Sequence, residues 1–193
     1  KPEEVFKRYD IRGQYPEELN EEFAERLGRA VGSFVLRNHG EKVVVCRDNK
    51  ESSEPLKDKL VEGLAFTGAD VLEAGIGPTD YSAFAGMKKD AVAVQVTSSH
   101  MPLDFNGFKL TYPEGNGFIN EDLNTVKNIF RSKEFETGEG KVENIGDSIR
   151  EAYRLELLDK AREHSQGLYS KKVVVDTLGG AAMEFLTSIL REL

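Results

Sequence analysis

A single cysteine, Cys46, is the only thiol in the chain, so no disulfide can form within it. Its place in the apolar run Val43-Val44-Val45-Cys46 makes it a small buried hydrophobe suited to a reducing compartment. Long apolar runs are missing too. Nothing approaches the roughly 20 residues of a membrane span, and the charged start Lys1-Pro2-Glu3-Glu4 lacks the apolar segment of a secretion signal. A cytoplasmic protein with no membrane partner is expected. Positive charge is in short supply: 26 Lys and Arg face 34 Asp and Glu, for a formal net charge of -8. A surface of that sign repels phosphate backbones, which excludes nucleic acid as a partner. Internal repeats and low-complexity segments are also lacking. What remains is 193 residues, 39% of them hydrophobic, enough to bury a core in one domain or one and a part.

Short β-rich runs alternate with helical patterns. Lys42–Cys46, Ala69–Ala74, Ala91–Val96 and Lys172–Asp176 read as strands, and the third is apolar almost throughout, as a central parallel strand buried on both faces would be. Asn20 before Glu21 and Glu22 is an N-cap with acids in the first turn, opening a helix to about residue 37 with Phe23, Leu27, Val31 and Phe34 on one face. Ser53 before Glu54 and Pro55 opens a second, striped by Leu56, Leu60, Val61 and Leu64 and stopped at Gly68. Asn120 caps a third, bearing Leu123, Val126, Ile129 and Phe130. The fold class is α/β, a mixed, mostly parallel sheet between helices.

Lys133 to Asp147 is charged, contains glycine and lacks periodicity, as expected of a link, which places a domain boundary near residue 147. Residues 1–147 then form the first domain and 148–193 the start of an incomplete second one. Ser148 with Glu151 forms a capping box for a helix through about His164, and Met183 to Leu193 reads as another helix beyond the strand. Helix, strand, helix cannot close a core alone, so this tail is expected to need the rest of a longer chain, a partner subunit or self-association.

After the buried strand comes Thr97-Ser98-Ser99-His100-Met101-Pro102-Leu103-Asp104-Phe105-Asn106-Gly107-Phe108-Lys109, with hydroxyls, an imidazole and an ammonium in one loop. The crevice beyond the carboxyl ends of parallel strands is where open α/β sheets bind ligands, so the location suits a reactive hydroxyl. The same residues also make a plain turn, with hydroxyls bonded to local backbone and Asn106-Gly107 as a tight turn. Hydroxyl chemistry alone does not separate Thr97, Ser98 and Ser99. A serine hydrolase is a poor reading, since no Gly-x-Ser-x-Gly elbow surrounds Ser99 and triad partners normally come from distant segments, whereas Ser99 and His100 are sequence neighbours.

This run resembles the active-serine signature of the α-D-phosphohexomutases of the phosphomannomutase/phosphoglucomutase type, Thr-x-Ser-His-Asn-Pro followed by Asn-Gly-x-Lys. It matches at Thr97, Ser99, His100, Pro102, Asn106, Gly107 and Lys109. Phe6-Lys7-Arg8-Tyr9-Asp10-Ile11-Arg12-Gly13 is similar to the family's opening motif, and Arg47-Asp48, Gly75-x-Gly77-Pro78-Thr79 and Asp176 with Gly179-Gly180 are similar to later landmarks in the same order. The resemblance implies that phosphorylated Ser99 exchanges its phosphoryl group with a hexose monophosphate through a hexose 1,6-bisphosphate. Ser99, His100, Lys109 and Arg12 are the implied catalytic residues, and Tyr9, Arg12 and Lys109 the implied substrate contacts. Phosphoryl transfer needs positioning and positive charge more than a strong nucleophile, which suits Arg12 as a clamp and Lys109 as a charge and proton carrier.

The resemblance also implies Mg2+, bound to Ser99 through its phosphate, with sugar phosphates as small-molecule partners. Two departures lie in the loop. Ser98 replaces a small apolar residue, and Met101 stands where the family has asparagine, removing an amide from a phosphate site. Asp80 and Lys50 depart from the pattern elsewhere. The family's Asp-Gly-Asp-Gly-Asp metal loop is not in this sequence, so the chain alone is expected to be inactive. The readings left are a portion of a longer or split mutase, or a truncated homologue acting as an interaction or phosphate-sensing module.

Overall fold

The computed structural model describes residues 4–164 and 172–193. Six strands, β1 (Ile11–Gln14), β2 (Lys42–Arg47), β3 (Asp70–Ile76), β4 (Val92–Val96), β5 (Phe105–Thr111) and β6 (Val142–Asn144), form one sheet in the order β1-β5-β4-β2-β3-β6. The pairs β2/β3, β2/β4 and β3/β6 are parallel, while β5 runs antiparallel to both β4 and β1. The expected mixed, mostly parallel sheet between helices is what forms.

Alternation along the strands explains why they are apolar nearly throughout. Val43, Val45, Val71, Val92, Val94 and Val96 enter one core with Phe108 and Leu110, under helices α1 (Glu21–Asn38), α2 (Ser53–Phe66) and α4 (Asn120–Ser132). Val44, Cys46, Leu72, Ala74 and Ala93 face the other way, under α3 (Thr79–Lys89), α5 (Gly146–His164) and α6 (Met183–Glu192). A strand covered on both faces has no solvent side to carry polar residues. The second core is built on small sheet residues and closed by rings: Tyr81 meets Tyr153 at 5.3 Å between centroids and Phe185 at 5.3 Å. The helices α1 and α2 cross with backbones nearly touching, because Gly28 and Gly63 have no Cβ to hold them apart.

Several expectations need correction. Lys172–Asp176 forms no strand. Val173 and Val174 are 57% and 86% exposed, since an apolar run becomes a strand only where a neighbour offers ladder bonds. Three helix starts also differ. Asn20 does accept from Phe23 N at 2.9 Å, but Ser53 lies inside α2, its hydroxyl taken by Asp48 Oδ1 at 2.5 Å. Asn120 is the first residue of α4, without a side-chain cap bond. Helix α5 starts at Gly146, with Ser148 donating to Ile145 O at 2.9 Å and Glu151 drawn to Arg154. Within the stretch 133–147, expected to be a link, β6 joins the sheet edge and Ile145 enters the second core. No described helix is long and apolar enough to cross a membrane.

Candidate active site

The parallel strands β2, β3 and β4 end on one side of the sheet. Asp48 follows β2, Gly77-Pro78 follows β3, and Thr97 to Asp104 links β4 to its antiparallel neighbour β5. A cavity of about 1120 Å³ opens there, lined by Asp48 to Ser52, Gly77 to Thr79, Gln95, Thr97 to Ser99, Met101 and, across from them, Leu178 to Ala182. The turn containing Gly179 and Gly180 thus faces the serine loop, and Asn49 Nδ2 donates to Gly179 O at 2.6 Å.

The loop is tied at both stems and along its length. Thr97 N donates to Gly107 O at 3.0 Å, and the Arg12 guanidinium donates to Thr97 O while pairing with Asp10 at 2.9 Å. Ser98 N donates to Asp48 Oδ2 at 3.1 Å, and Ser99 N to Thr97 Oγ1 at 2.9 Å. At the far stem, Lys50 Nζ donates to Phe105 O at 2.5 Å and Pro102 O at 3.3 Å. Gln14 Nε2 reaches Asp104 Oδ2 at 3.0 Å. Asn106, fully buried, fixes the start of β5 to that of α2 by donating to Ser52 Oγ at 2.7 Å and Ser53 Oγ at 3.0 Å. Gly107 is needed where it stands, because a Cβ there would lie 2.2 Å from Ile11 O and 2.9 Å from an Arg12 nitrogen.

These ties leave Ser99 exposed at φ +55°, in the left-handed region that a serine rarely adopts. Its Oγ is 3.3 Å from His100 Nδ1, so the imidazole can give or take a hydrogen bond there according to its tautomer. Lys109 pairs with Gln95 across β5 and β4, on the face opposite Phe108 and Leu110. Among the described residues its ammonium has no hydrogen-bond or ion-pair partner. Gln95 donates to Gly77 O at 2.9 Å, and its Oε1 is buried without a partner.

Of the implied catalytic and substrate-contact residues, Ser99 lines the cavity wall. Arg12 reaches the loop through a carbonyl, His100 sits beside the serine, and Lys109 stands on the neighbouring strand. Tyr9 is 60% exposed under Arg8, at 5.1 Å, away from the cavity wall. Sequence reasoning passed over Asp48 as a landmark and Lys50 as a departure. Asp48 Oδ1 accepts from Lys50 N at 3.1 Å and from Ser53 Oγ while Oδ2 holds Ser98, so one carboxylate joins β2, α2 and the loop. Its signal was an acid directly after a buried strand, two residues before a lysine. Burial holds the Lys50 ammonium below its ordinary pKa, against the opposing pull of Asp48 and Asp104.

The family profile described as phosphoglucomutase/phosphomannomutase, alpha/beta/alpha domain I, matches residues 3–137. The chain is 37% identical to a phosphoglucomutase/phosphomannomutase of Thermococcus kodakarensis, with 98% of this chain and 42% of that protein covered. It is 36% identical to a phosphomannomutase of Escherichia coli, with 92% and 39% covered. The crystal structure of a phosphoglucomutase/phosphomannomutase family protein from Burkholderia thailandensis superposes with a TM-score of 0.82 at 28% identity, over 98% of this chain and 42% of that one. The chain therefore spans about two fifths of the length of these relatives.

Proposed function

The chain belongs to the phosphoglucomutase/phosphomannomutase family, and on that premise we propose that it is the portion of a phosphohexomutase that carries the transferable phosphoryl group, on Ser99. The observation that carries the reading is an exposed serine hydroxyl held at positive φ by a loop whose backbone is tied to β1, β2 and β5. Such a loop gives the in-line positioning that phosphoryl transfer needs more than it needs a strong nucleophile.

In the proposed cycle a free hydroxyl of a hexose monophosphate attacks the phosphorus on Ser99, and the bond from phosphorus to Oγ breaks as the new one forms. The hydroxyl proton ends on Oγ, giving a hexose 1,6-bisphosphate and free serine. After the bisphosphate turns over, Oγ attacks its other phosphate and the same exchange runs in reverse. Lys109 is assigned the proton exchange with the sugar hydroxyl, and His100, 3.3 Å from Oγ, a hydrogen bond to the serine oxygen. Arg12 holds the first carbonyl of the loop and brings positive charge beneath it. Tyr9 is kept as a substrate contact on the family resemblance.

Mg2+ belongs to the proposal as the ion that would neutralise charge on the transferring group. The described residues include no group of three or more His, Cys, Asp or Glu placed to hold a metal, so they do not form its site. The Ser99 phosphate is what this chain would contribute, and no step is assigned to the ion. Choice among hexoses is assigned to regions of the relatives that have no counterpart here.

Incubation of the full protein with isotopically labelled glucose 1,6-bisphosphate and Mg2+, followed by peptide mass spectrometry, tests the reading. Label is expected on Ser99. Label on Thr97 or Ser98 with Ser99 bare would move the nucleophile, and no label anywhere would leave the chain without the proposed role.

A further inference from the structure

Among the described residues, one cationic side chain lines the cavity beside Ser99, and it is Lys50. The other charged groups on that wall are the carboxylates Asp48 and Glu51, an unfavourable setting for a phosphoryl group unless a cation answers them. Lys50 is fixed at its backbone, its N donating to Asp48 Oδ1 at 3.1 Å and its carbonyl accepting from Ser53 N at 3.0 Å. Its ammonium spends two of its three donors on Phe105 O and Pro102 O, and the third has no partner among the described residues. Pro102 directly follows Met101, so the ammonium lies at the part of the loop where the family's asparagine amide is missing. Met101 lines the same cavity with a thioether that can donate nothing. Two departures from the family pattern, far apart in sequence, therefore meet at one place.

We propose that Lys50 contacts the phosphoryl group on Ser99 with its third N–H, supplying from the end of β2 the donor that Met101 does not. The inference rests on the proposed function of Ser99 and assigns that site a further residue. Lys50 thus holds the loop through two carbonyls and faces the transferred group with what is left. A lysine that only braced the loop would make the same two carbonyl bonds, but restoring an amide at position 101 would not replace it.

The test is a double-mutant cycle on the full protein, reading the rate at which labelled glucose 1,6-bisphosphate phosphorylates Ser99. Lys50→Met should slow labelling about tenfold or more, the loss expected for a hydrogen bond to a charged group. Met101→Asn alone should change the rate less than about threefold, and added to Lys50→Met it should restore at least about fivefold. Labelling of Lys50→Met at the unmutated rate, or a double variant as slow as Lys50→Met, would overturn the proposal. Should Lys50→Met fail to fold by circular dichroism, Lys50→Gln takes its place, keeping a donor for the loop carbonyls without the charge. Absence of label on Ser99 in the unmutated protein would instead sink the functional reading itself, and that control is read before any variant.

Discussion

Ser99 combines an exposed hydroxyl with an unfavourable backbone conformation, since a non-glycine residue in the left-handed region gives up about 1–2 kcal/mol. Ser99→Gly should therefore raise stability by about 1 kcal/mol in urea unfolding while abolishing phosphate incorporation. A variant no more stable than the parent would show that the loop carries no such strain. Cys46 gives a second prediction, on pH. Burial raises its thiol from the ordinary 9.0 to about 12. Below pH 9 both folded and unfolded thiols keep their proton, so the stability is intact. As pH rises towards 12 the unfolded chain releases the proton first, and up to about 4 kcal/mol is lost. Unfolding curves should fall more steeply between pH 9 and 12 for the parent than for Cys46→Ala. The burial of Cys46 was legible in its apolar run. Asp48 was not, because its role appears only when β2, α2 and the loop converge on one carboxylate.

Helix α1 rests on α2 through glycine. A Cβ at Gly63 would lie 2.0 Å from Glu25 O, and one at Gly28 would lie 2.3 Å from Leu60 O. Gly63→Ala should cost about 1–3 kcal/mol by forcing the helices apart, whereas Gly117→Ala, with nothing near its site, should fall within about 0.5 kcal/mol of the parent. Thermal melts of both compare them, and equal melting temperatures would contradict this packing. Helices α1, α2 and α4 were legible because their apolar stripes recur at helical spacing, as were the three central strands. The short β1 has four residues and gives too little pattern to read. The strand β5 was hidden by Asn106-Gly107, a turn signature that here serves a close crossing with β1. Helix α3 was masked by its small residues, suited to lying close to Ala91 and Ala93. Lys172–Asp176 erred the other way, its valines satisfying a strand pattern with no strand to pair with.

Across the molecule, order should follow the sheet. The residues of β4 are buried throughout, while Val173, Val174 and Leu178 stand 57%, 86% and 92% exposed. Native hydrogen exchange should protect the amides of Val92–Val96 close to the global limit and leave those of Val173–Asp176 near the unprotected rate. Protection of both at one level would show that the tail is as firmly folded as the sheet. The loop from Thr97 to Asp104 belongs with the sheet in this respect, because its two stems are neighbouring strands and β1, β2 and β5 all tie it down. A support so anchored has little freedom to follow a ligand that must present first one end and then the other. In the proposed cycle the serine is the anvil and the sugar bisphosphate the workpiece: reversal between the two half-reactions has to be a rotation of the small molecule, carried out in place above a stationary oxygen.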